Sequence, residues 1–341
     1  METGFKRRNL KILGSLLIAA VVGTLLSGVL KQCTSSNCTV KRSQVLGNKA
    51  MSKAQSVLKN VSSVPKILHQ VFASERVYAN YLPFVNSCLS RNPDWQYYLW
   101  TDKTAEKLIV DRYPEFLAKY KQYTDNLEKA DSIRYIVLHH MGGIYLDMDV
   151  ECIRPFFPAL EGIQAFLDQE RPEQTNIGLA QRYSAMNSAM GARPGHPFFR
   201  HVIDQLQAGT RVGEALRTTG PLALTSALES YRRVGAAAGV KLLDPKVFSP
   251  LMVDMNKWKK RCRGLLLSAK WSSSSRWSLQ QRGCVQLQAK GWRADDSNGS
   301  TIGLHRFLHL GYDWIAGKQR LPPISLTKAF PGRVKFYGGS A

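Results

Sequence analysis

Two aspartates stand two residues apart, Asp147 and Asp149, in the run Ile144-Tyr-Leu-Asp147-Met-Asp149-Val150, which reads as a strand. Side chains alternate across a strand, so an extended run turns both carboxylates, and Tyr145 with them, to one face. Paired carboxylates suit a hard divalent cation, Mn2+ or Mg2+, which takes oxygen ligands and keeps positions open for substrate phosphates. Such a pair fits an enzyme acting on a nucleoside-diphosphate donor, where positive charge stabilises the departing diphosphate. The bare spacing is common and on its own describes a solvated turn. Its surroundings give it weight.

Those surroundings are the elements that must position it. Residues 128–141 read as a helix with Ala130, Ile133, Val137 and Met141 on one face, and Asp131 and Arg134 meet beside that face at i, i+3. Taken alone, that pair describes a surface salt bridge. Gly142-Gly143 stops the helix, because glycine reaches positive φ without steric cost. Upstream, 66–72 and 96–101 read as strands, and 76–91, 105–112 and 115–120 as mostly helical. Downstream, 156–166, 198–207 and 222–231 read as helices. Alternating strands and helices predict an α/β domain, with ligands at the carboxyl ends of strands, where Asp147 and Asp149 fall. Residues 258–296 are rich in Ser, Trp and Arg. They read as a loop excursion over the acceptor side or near a membrane, or as a disordered insert.

The order of motifs resembles the DXD-containing glycosyltransferases of the initiating mannosyltransferase and inositol phosphoceramide mannosyltransferase type. Val64-Pro-Lys-Ile-Leu-His-Gln70 is similar to that family's opening strand, and Asn92-Pro-Asp-Trp-Gln-Tyr-Tyr-Leu-Trp-Thr-Asp102 to its second. Asn187-Ser-Ala-Met-Gly-Ala-Arg-Pro-Gly-His-Pro-Phe198 resembles a sugar-site loop, and Thr219-Gly-Pro221 its Thr-Gly-Pro turn. The resemblance implies a nucleotide-sugar-binding, GT-A-like Rossmann-type domain and retention of anomeric configuration. It makes Asp149 the direct metal ligand and gives Asp147 the ribose or sugar. Asp131 would accept donor hydroxyls, and Arg134 would contact the diphosphate or pin Asp131. Tyr145 either packs on the donor or is an ordinary core tyrosine. Asn187 would contact the donor, and His196 the donor or acceptor unless it simply shapes a turn. Phe72 stands where relatives often carry a base-stacking Trp; Phe still stacks, but the nucleotide is left open. His305, in Gly303-Leu-His-Arg-Phe-Leu-His309, either completes the metal site or is a satisfied structural histidine. No carboxylate can be picked out as a covalent nucleophile, which fits a front-face mechanism.

Composition agrees with a membrane-anchored enzyme. The chain has 341 residues, 44% hydrophobic, ample for a sizeable core. Residues 12–30 carry no charge and follow Lys6, Arg7, Arg8 and Lys11, so they read as a type II signal anchor with a cytosolic tail at 1–11. A cleaved signal peptide is the rival reading. Residues 31–63 read as a stem and 64–341 as the catalytic domain. Asn37, Asn60 and Asn298 head glycosylation sequons. Six cysteines with no zinc spacing suit an oxidising lumen, with Cys262–Cys284 the favoured pair. The formal charge of +22 is dispersed apart from Lys259-Lys260-Arg261-Cys-Arg263, so it suggests anionic lipid and nucleotide diphosphate rather than nucleic acid.

The expectation is therefore a Golgi, single-pass, metal-dependent hexosyltransferase. Its first-choice donor is GDP-mannose and its first-choice acceptor a glycolipid such as inositol phosphoceramide, with Lys259, Lys260 and Arg261 on the acceptor side. A UDP-sugar donor or a protein-linked glycan acceptor is the alternative, and the resemblance adds a regulatory membrane subunit as a partner. A membrane-anchored sugar-binding protein with a degenerate site is the non-enzyme alternative.

Overall fold

The computed structural model describes residues 63–210, 213–233, 239–267, 278–308 and 319–339. The expected tail, anchor and stem sequons, with Cys33, Cys38, Trp271, Trp277 and Trp314, lie outside them. No helix among the described residues is long and apolar enough to cross a membrane.

The first half of the domain runs β1 (Ile67–Val71), β2 (Arg76–Tyr78), α1 (Leu82–Arg91), β3 (Gln96–Trp100), α2 (Asp102–Arg112), α3 (Leu117–Gln122), α4 (Asn126–Met141), β4 (Gly143–Leu146), β5 (Val150–Cys152) and β6 (Ala165–Gln169). It continues with α5 (Pro172–Leu179), β7 (Ala185–Ala192), α6 (Pro197–Ala208), α7 (Ala215–Thr218), α8 (Pro221–Arg233), β8 (Val240–Leu242), α9 (Met255–Leu267) and α10 (Leu279–Ala289). β9 (Gly303–His305), β10 (Pro323–Ser325), α11 (Leu326–Ala329) and β11 (Val334–Lys335) close it.

The α/β class is as expected, and the sheet is mixed. Seven strands lie in the order β11-β3-β1-β4-β7-β6-β8. β11, β3, β1 and β4 are mutually parallel, and β7 is antiparallel to both its neighbours. Along β4, Tyr145 joins one apolar core while Ile144 and Leu146 join the other, so each face of the sheet is covered.

The α4–β4 junction shows why the Gly-Gly pair is required. Gly142 takes φ 67° and Gly143 φ 96°. A Cβ on Gly142 would lie 2.7 Å from the Ala192 carbonyl, and one on Gly143 2.5 Å from that of Ile67. His69 braces the turn: Nε2 donates to the Gly142 carbonyl at 2.8 Å and Nδ1 accepts the Trp100 indole N–H at 3.0 Å. Burial pushes its pKa down to about 4, keeping it neutral.

Several expected elements differ. α4 is buried at every position from Asp131 to Leu138, where one apolar stripe was expected, because it packs on both the sheet and α6. The 76–91 stretch opens as β2, paired to β10, before α1 begins at Leu82. Residues 156–166 form no helix: Pro158 lacks an N–H, Gly162 takes φ 74°, and β6 starts at Ala165. The Asn187 segment is the fully buried strand β7 rather than a loop. In the described parts of 258–296, α9 and α10 stand where a loop excursion or disordered insert was expected. They enclose a small core with Met252 and Ile177, and a disulfide joins Cys262 to Cys284 as expected. A second disulfide, Cys88–Cys152, ties α1 to β5.

Candidate active site

The aspartate pair sits at the carboxyl end of β4, but not on a strand. β4 stops at Leu146, and the Val150 N–H returns to the Asp147 carbonyl at 3.1 Å, closing a tight turn. The Asp147 N–H is taken by the Ser188 carbonyl at 2.8 Å, which ends the β4 ladder there. Gln70, at the end of β1, donates to the Asp147 carbonyl at 3.2 Å while accepting the Tyr97 hydroxyl at 2.8 Å. Strand alternation therefore does not explain the convergence of the two carboxylates; a turn pinned from β1 and β7 does.

His305 comes from far along the chain. β5 and β9 pair antiparallel with Val150 opposite His305, which seats the imidazole beside Asp149. Its Nε2 lies 3.4 Å from Asp149 Oδ1, and the Leu308 N–H holds Asp149 Oδ2 at 2.7 Å. One ligand atom from each of Asp147, Asp149 and His305 falls within 4.8 Å of the others. Two carboxylates and an imidazole make a donor set that Mn2+ or Mg2+ accepts. The electrostatics fit as well: burial pushes the His305 pKa down, but Asp149, then Asp147 and Asp168, outweigh it and raise the net value. The cluster attracts positive charge, the condition a cation would meet.

Behind the turn lies a buried polar network. Arg134 donates from Nη1 to Asp147 Oδ1 at 3.0 Å and to the Asn187 carbonyl at 3.0 Å, and pairs through Nη2 with Asp131 Oδ1 at 3.1 Å. The Tyr145 hydroxyl donates to the same Asp147 oxygen at 2.7 Å. Asp131 also accepts the Asn187 amide at 2.8 Å and the Thr219 hydroxyl at 3.1 Å. Burial is the main reason the Asp131 pKa is pushed up to about 6; Arg134 pulls against it. The Asp131–Arg134 pair is thus an interior one, not a surface salt bridge, and Arg134 pins Asp131 and Asp147 together.

Beside the cluster, Phe72 packs edge-on against Tyr78 and Tyr81, with centroids 5.6 and 6.0 Å away. Burial, then the charges of Asp149 and Asp147, raise the Tyr81 pKa. Arg320 lies over the Tyr78 ring at 5.3 Å.

Other expected residues fall elsewhere. His196 caps α6, its Nδ1 accepting the Phe198 N–H at 3.2 Å. It lies past the far end of β7, near the start of β4. Lys259, Lys260 and Arg261 stand exposed on α9. Gln70, Tyr81, Thr219 and Tyr135, whose hydroxyl accepts the Asn187 amide at 3.1 Å and donates to the Thr219 carbonyl at 2.7 Å, had no role in the sequence reading. Only Gln70 and Thr219 left a signal, by lying in the opening-strand and Thr-Gly-Pro motifs.

Residues 80–172 match the family model described as a glycosyltransferase sugar-binding region containing DXD motif. Over that stretch the chain is similar to the sugar-binding region of DXD-containing glycosyltransferases. That region holds Asp131, Arg134, Tyr145, Asp147 and Asp149; Phe72, Asn187, Thr219 and His305 reach it from outside. The chain is 33% identical over 192 residues to the mannosyl phosphorylinositol ceramide synthase SUR1 of Saccharomyces cerevisiae, covering 54% of this chain and 47% of that one. It is 33% identical over 178 residues to inositol phosphoceramide mannosyltransferase 3 of Schizosaccharomyces pombe, covering 51% and 47%. The initiation-specific alpha-1,6-mannosyltransferase of Candida albicans is 24% identical, covering 37% of each. The chain spans about half the length of the first two relatives. Among solved structures, the PaToxG glycosyltransferase is 14% identical and covers 72% of this chain and 89% of that one, with a TM-score of 0.37.

Proposed function

We propose that the protein is a metal-dependent, retaining glycosyltransferase with a GT-A-like nucleotide-sugar domain, moving mannose from GDP-mannose to a glycolipid such as inositol phosphoceramide. The observation that carries this reading is the convergence of Asp147, Asp149 and His305 in front of the buried Asp131–Arg134–Asn187 network. A divalent cation held by the first three would offset charge on the departing diphosphate. Arg134 fixes the orientation of Asp147, leaving its second oxygen for the donor side. Asp131 and Asn187 present buried polar atoms, held in place by Arg134 and Thr219, that suit sugar hydroxyls. Phe72 and Tyr78 supply ring faces for a base.

Mannose and the lipid acceptor draw on the activities for which these relatives are named, and retention on the family resemblance. A Golgi, type II placement draws on the uncharged 12–30 segment and on the two disulfides, which suit an oxidising lumen. The exposed cations of α9 suit an anionic leaflet or the acceptor's phosphate. Incubating the full chain with a panel of nucleotide sugars, Mn2+, and either inositol phosphoceramide vesicles or a soluble N-glycan tests the proposal. Transfer of mannose to the lipid is expected. Transfer to the N-glycan alone, or preference for a UDP-sugar, would replace acceptor or donor. Sugar binding with no turnover would favour a degenerate binder.

A further inference from the structure

The two ring nitrogens of His305 have different surroundings. Nε2 faces Asp149, whereas Nδ1 is buried and has no hydrogen-bond partner. When Nε2 gives its lone pair to a cation, the single proton of neutral imidazole sits on Nδ1 and needs an acceptor. An unpaired donor in the interior is costly, so the ring calls for one.

A buried acceptor close by also lacks a partner. Asp168, on β6, is fully buried. Its Oδ2 accepts the Ser249 hydroxyl and the Gln169 N–H lies against the carboxyl, while Oδ1 makes no well-formed hydrogen bond. Ser249 follows Phe248, whose carbonyl accepts the His305 backbone N–H at 2.9 Å, so the Asp168–Ser249 pair lies alongside β9. The charges of Asp168 and His305 each act on the other. Glu170 also acts on His305, but its two oxygens are occupied by Gln174 and Thr175. An imidazole nitrogen without a partner and a carboxyl oxygen with room for one more donor are therefore near neighbours.

We propose that Asp168 is the orienting carboxylate of His305, accepting the Nδ1 proton directly or through one water and so fixing which nitrogen faces the cation. The inference rests on the metal-site reading above. Asp168 is a positioning residue: it touches neither donor nor acceptor and acts through the imidazole. Loss of such an orienting partner typically weakens metal affinity about 10–100-fold.

Mn2+ affinity, read by calorimetry or by the paramagnetic resonance signal of free Mn2+, tests this on the full chain. Asp168→Ala should weaken Mn2+ binding about 10–100-fold, and Asp168→Asn less, because an amide oxygen still accepts. In a His305→Ala background, Asp168→Ala should cost nothing further, since the ring it serves is gone. Asn176→Ala, which removes another orphaned buried oxygen, on α5, should leave affinity unchanged. Equal losses with and without His305 would assign Asp168 a structural role only and overturn the proposal, as would a loss at Asn176 with none at Asp168. Should Asp168→Ala fail to fold, the nitrogen shifts of His305 in the Asp168→Asn protein report the same point. The Nδ1-protonated tautomer should lose population relative to wild type, and an unchanged tautomer would overturn the proposal. A wild-type protein that binds no Mn2+, or binds it equally after Asp149→Ala, would instead refute the metal site itself.

Discussion

Arg134 holds Asp147 and Asp131 with two different nitrogens of one guanidinium, at 3.0 and 3.1 Å. A lysine retains the charge but not the fork, so it cannot hold both carboxylates in this arrangement. Breaking a buried pair typically costs about 3–5 kcal/mol, because the orphaned charge stays inside. Arg134→Lys should lower turnover at least about a hundredfold, through a displaced metal carboxylate, and should also lower the melting temperature. Kinetics and a thermal melt on one preparation check this. Near-normal values of both would remove Arg134 from its bridging role.

Substituting either metal carboxylate should cost at least about a hundredfold in turnover, since a lost cation forfeits several kcal/mol of transition-state stabilisation. The two should part company in stability. Asp147→Ala strands the Arg134 guanidinium and the Tyr145 hydroxyl, so its melting temperature falls. Asp149→Ala takes the acceptor from the Leu308 N–H and the partner from His305 but relieves charge crowding against Asp147, so its melting temperature should fall less. Equal melting losses would contradict the assignment of Arg134 and Tyr145 to Asp147.

The extent to which this site was legible in the sequence follows the range of the contacts that build it. Asp131, Arg134, Tyr145 and the two aspartates share one local stretch, and helical spacing with a Gly-Gly stop exposed them. The same stretch misled on mechanism, because alternation cannot show that Asp147 ends a strand and enters a turn. Ser188 and Gln70, which hold that turn, come from other strands. His305 depends on β5–β9 pairing, a register no local pattern encodes, and its role entered only through resemblance. The resemblance makes the Asn187 stretch a sugar-site loop, and its Ala, Ser, Met and Gly residues lack the β-branched signature that would have marked a strand. Burial at all eight positions and close packing of Gly191 against Phe166 explain the small residues. The α9–α10 pair escaped notice since its apolar positions face a small satellite core rather than a long stripe.

Two buried carboxyls give the protein a pH signature. Burial pushes Asp131 up to about 6 and Asp168 up to about 7, against an ordinary 3.8 for both. In that window the folded state binds more protons than the unfolded one, so stability falls as pH rises. The stabilisation is complete below about pH 4 and lost as pH climbs through about 6 and 7. Melting temperatures of metal-free protein should therefore decline from pH 4.5 to 7.5 as these groups titrate. Asp168→Asn should flatten the upper part of that decline and melt higher than wild type at pH 8. A variant with an unchanged slope would place the titration elsewhere.

The Cys262–Cys284 disulfide closes a loop with a sequence separation of 22. Chain entropy alone assigns such a closure about 3 kcal/mol. Replacing both cysteines with alanine should make residues 251–296 exchange amide hydrogens faster and cleave sooner, with the β4 region unaffected. Loss of protection across the whole sheet would mean that α9 and α10 are not a satellite of the main core.

Neutralising Lys259, Lys260 and Arg261 together should raise the apparent KM for a phosphate-bearing lipid acceptor while donor hydrolysis stays within about twofold, since exposed charges act chiefly on encounter. Added salt should reproduce the effect, screening such attraction beyond roughly 10 Å at 0.1 M. Equal lipid KM values for wild type and the triple variant would dismiss α9 as an acceptor surface.

The most direct test is GDP-mannose turnover by the full chain as Mn2+ is titrated, in wild type and in Asp149→Ala. Wild type should turn over only with the cation, stop on chelation, and restart on repletion. The variant should stay at least about a hundredfold slower at saturating Mn2+. Equal turnover in the presence of chelator, or in the variant, would contradict a metal centre built on Asp147, Asp149 and His305.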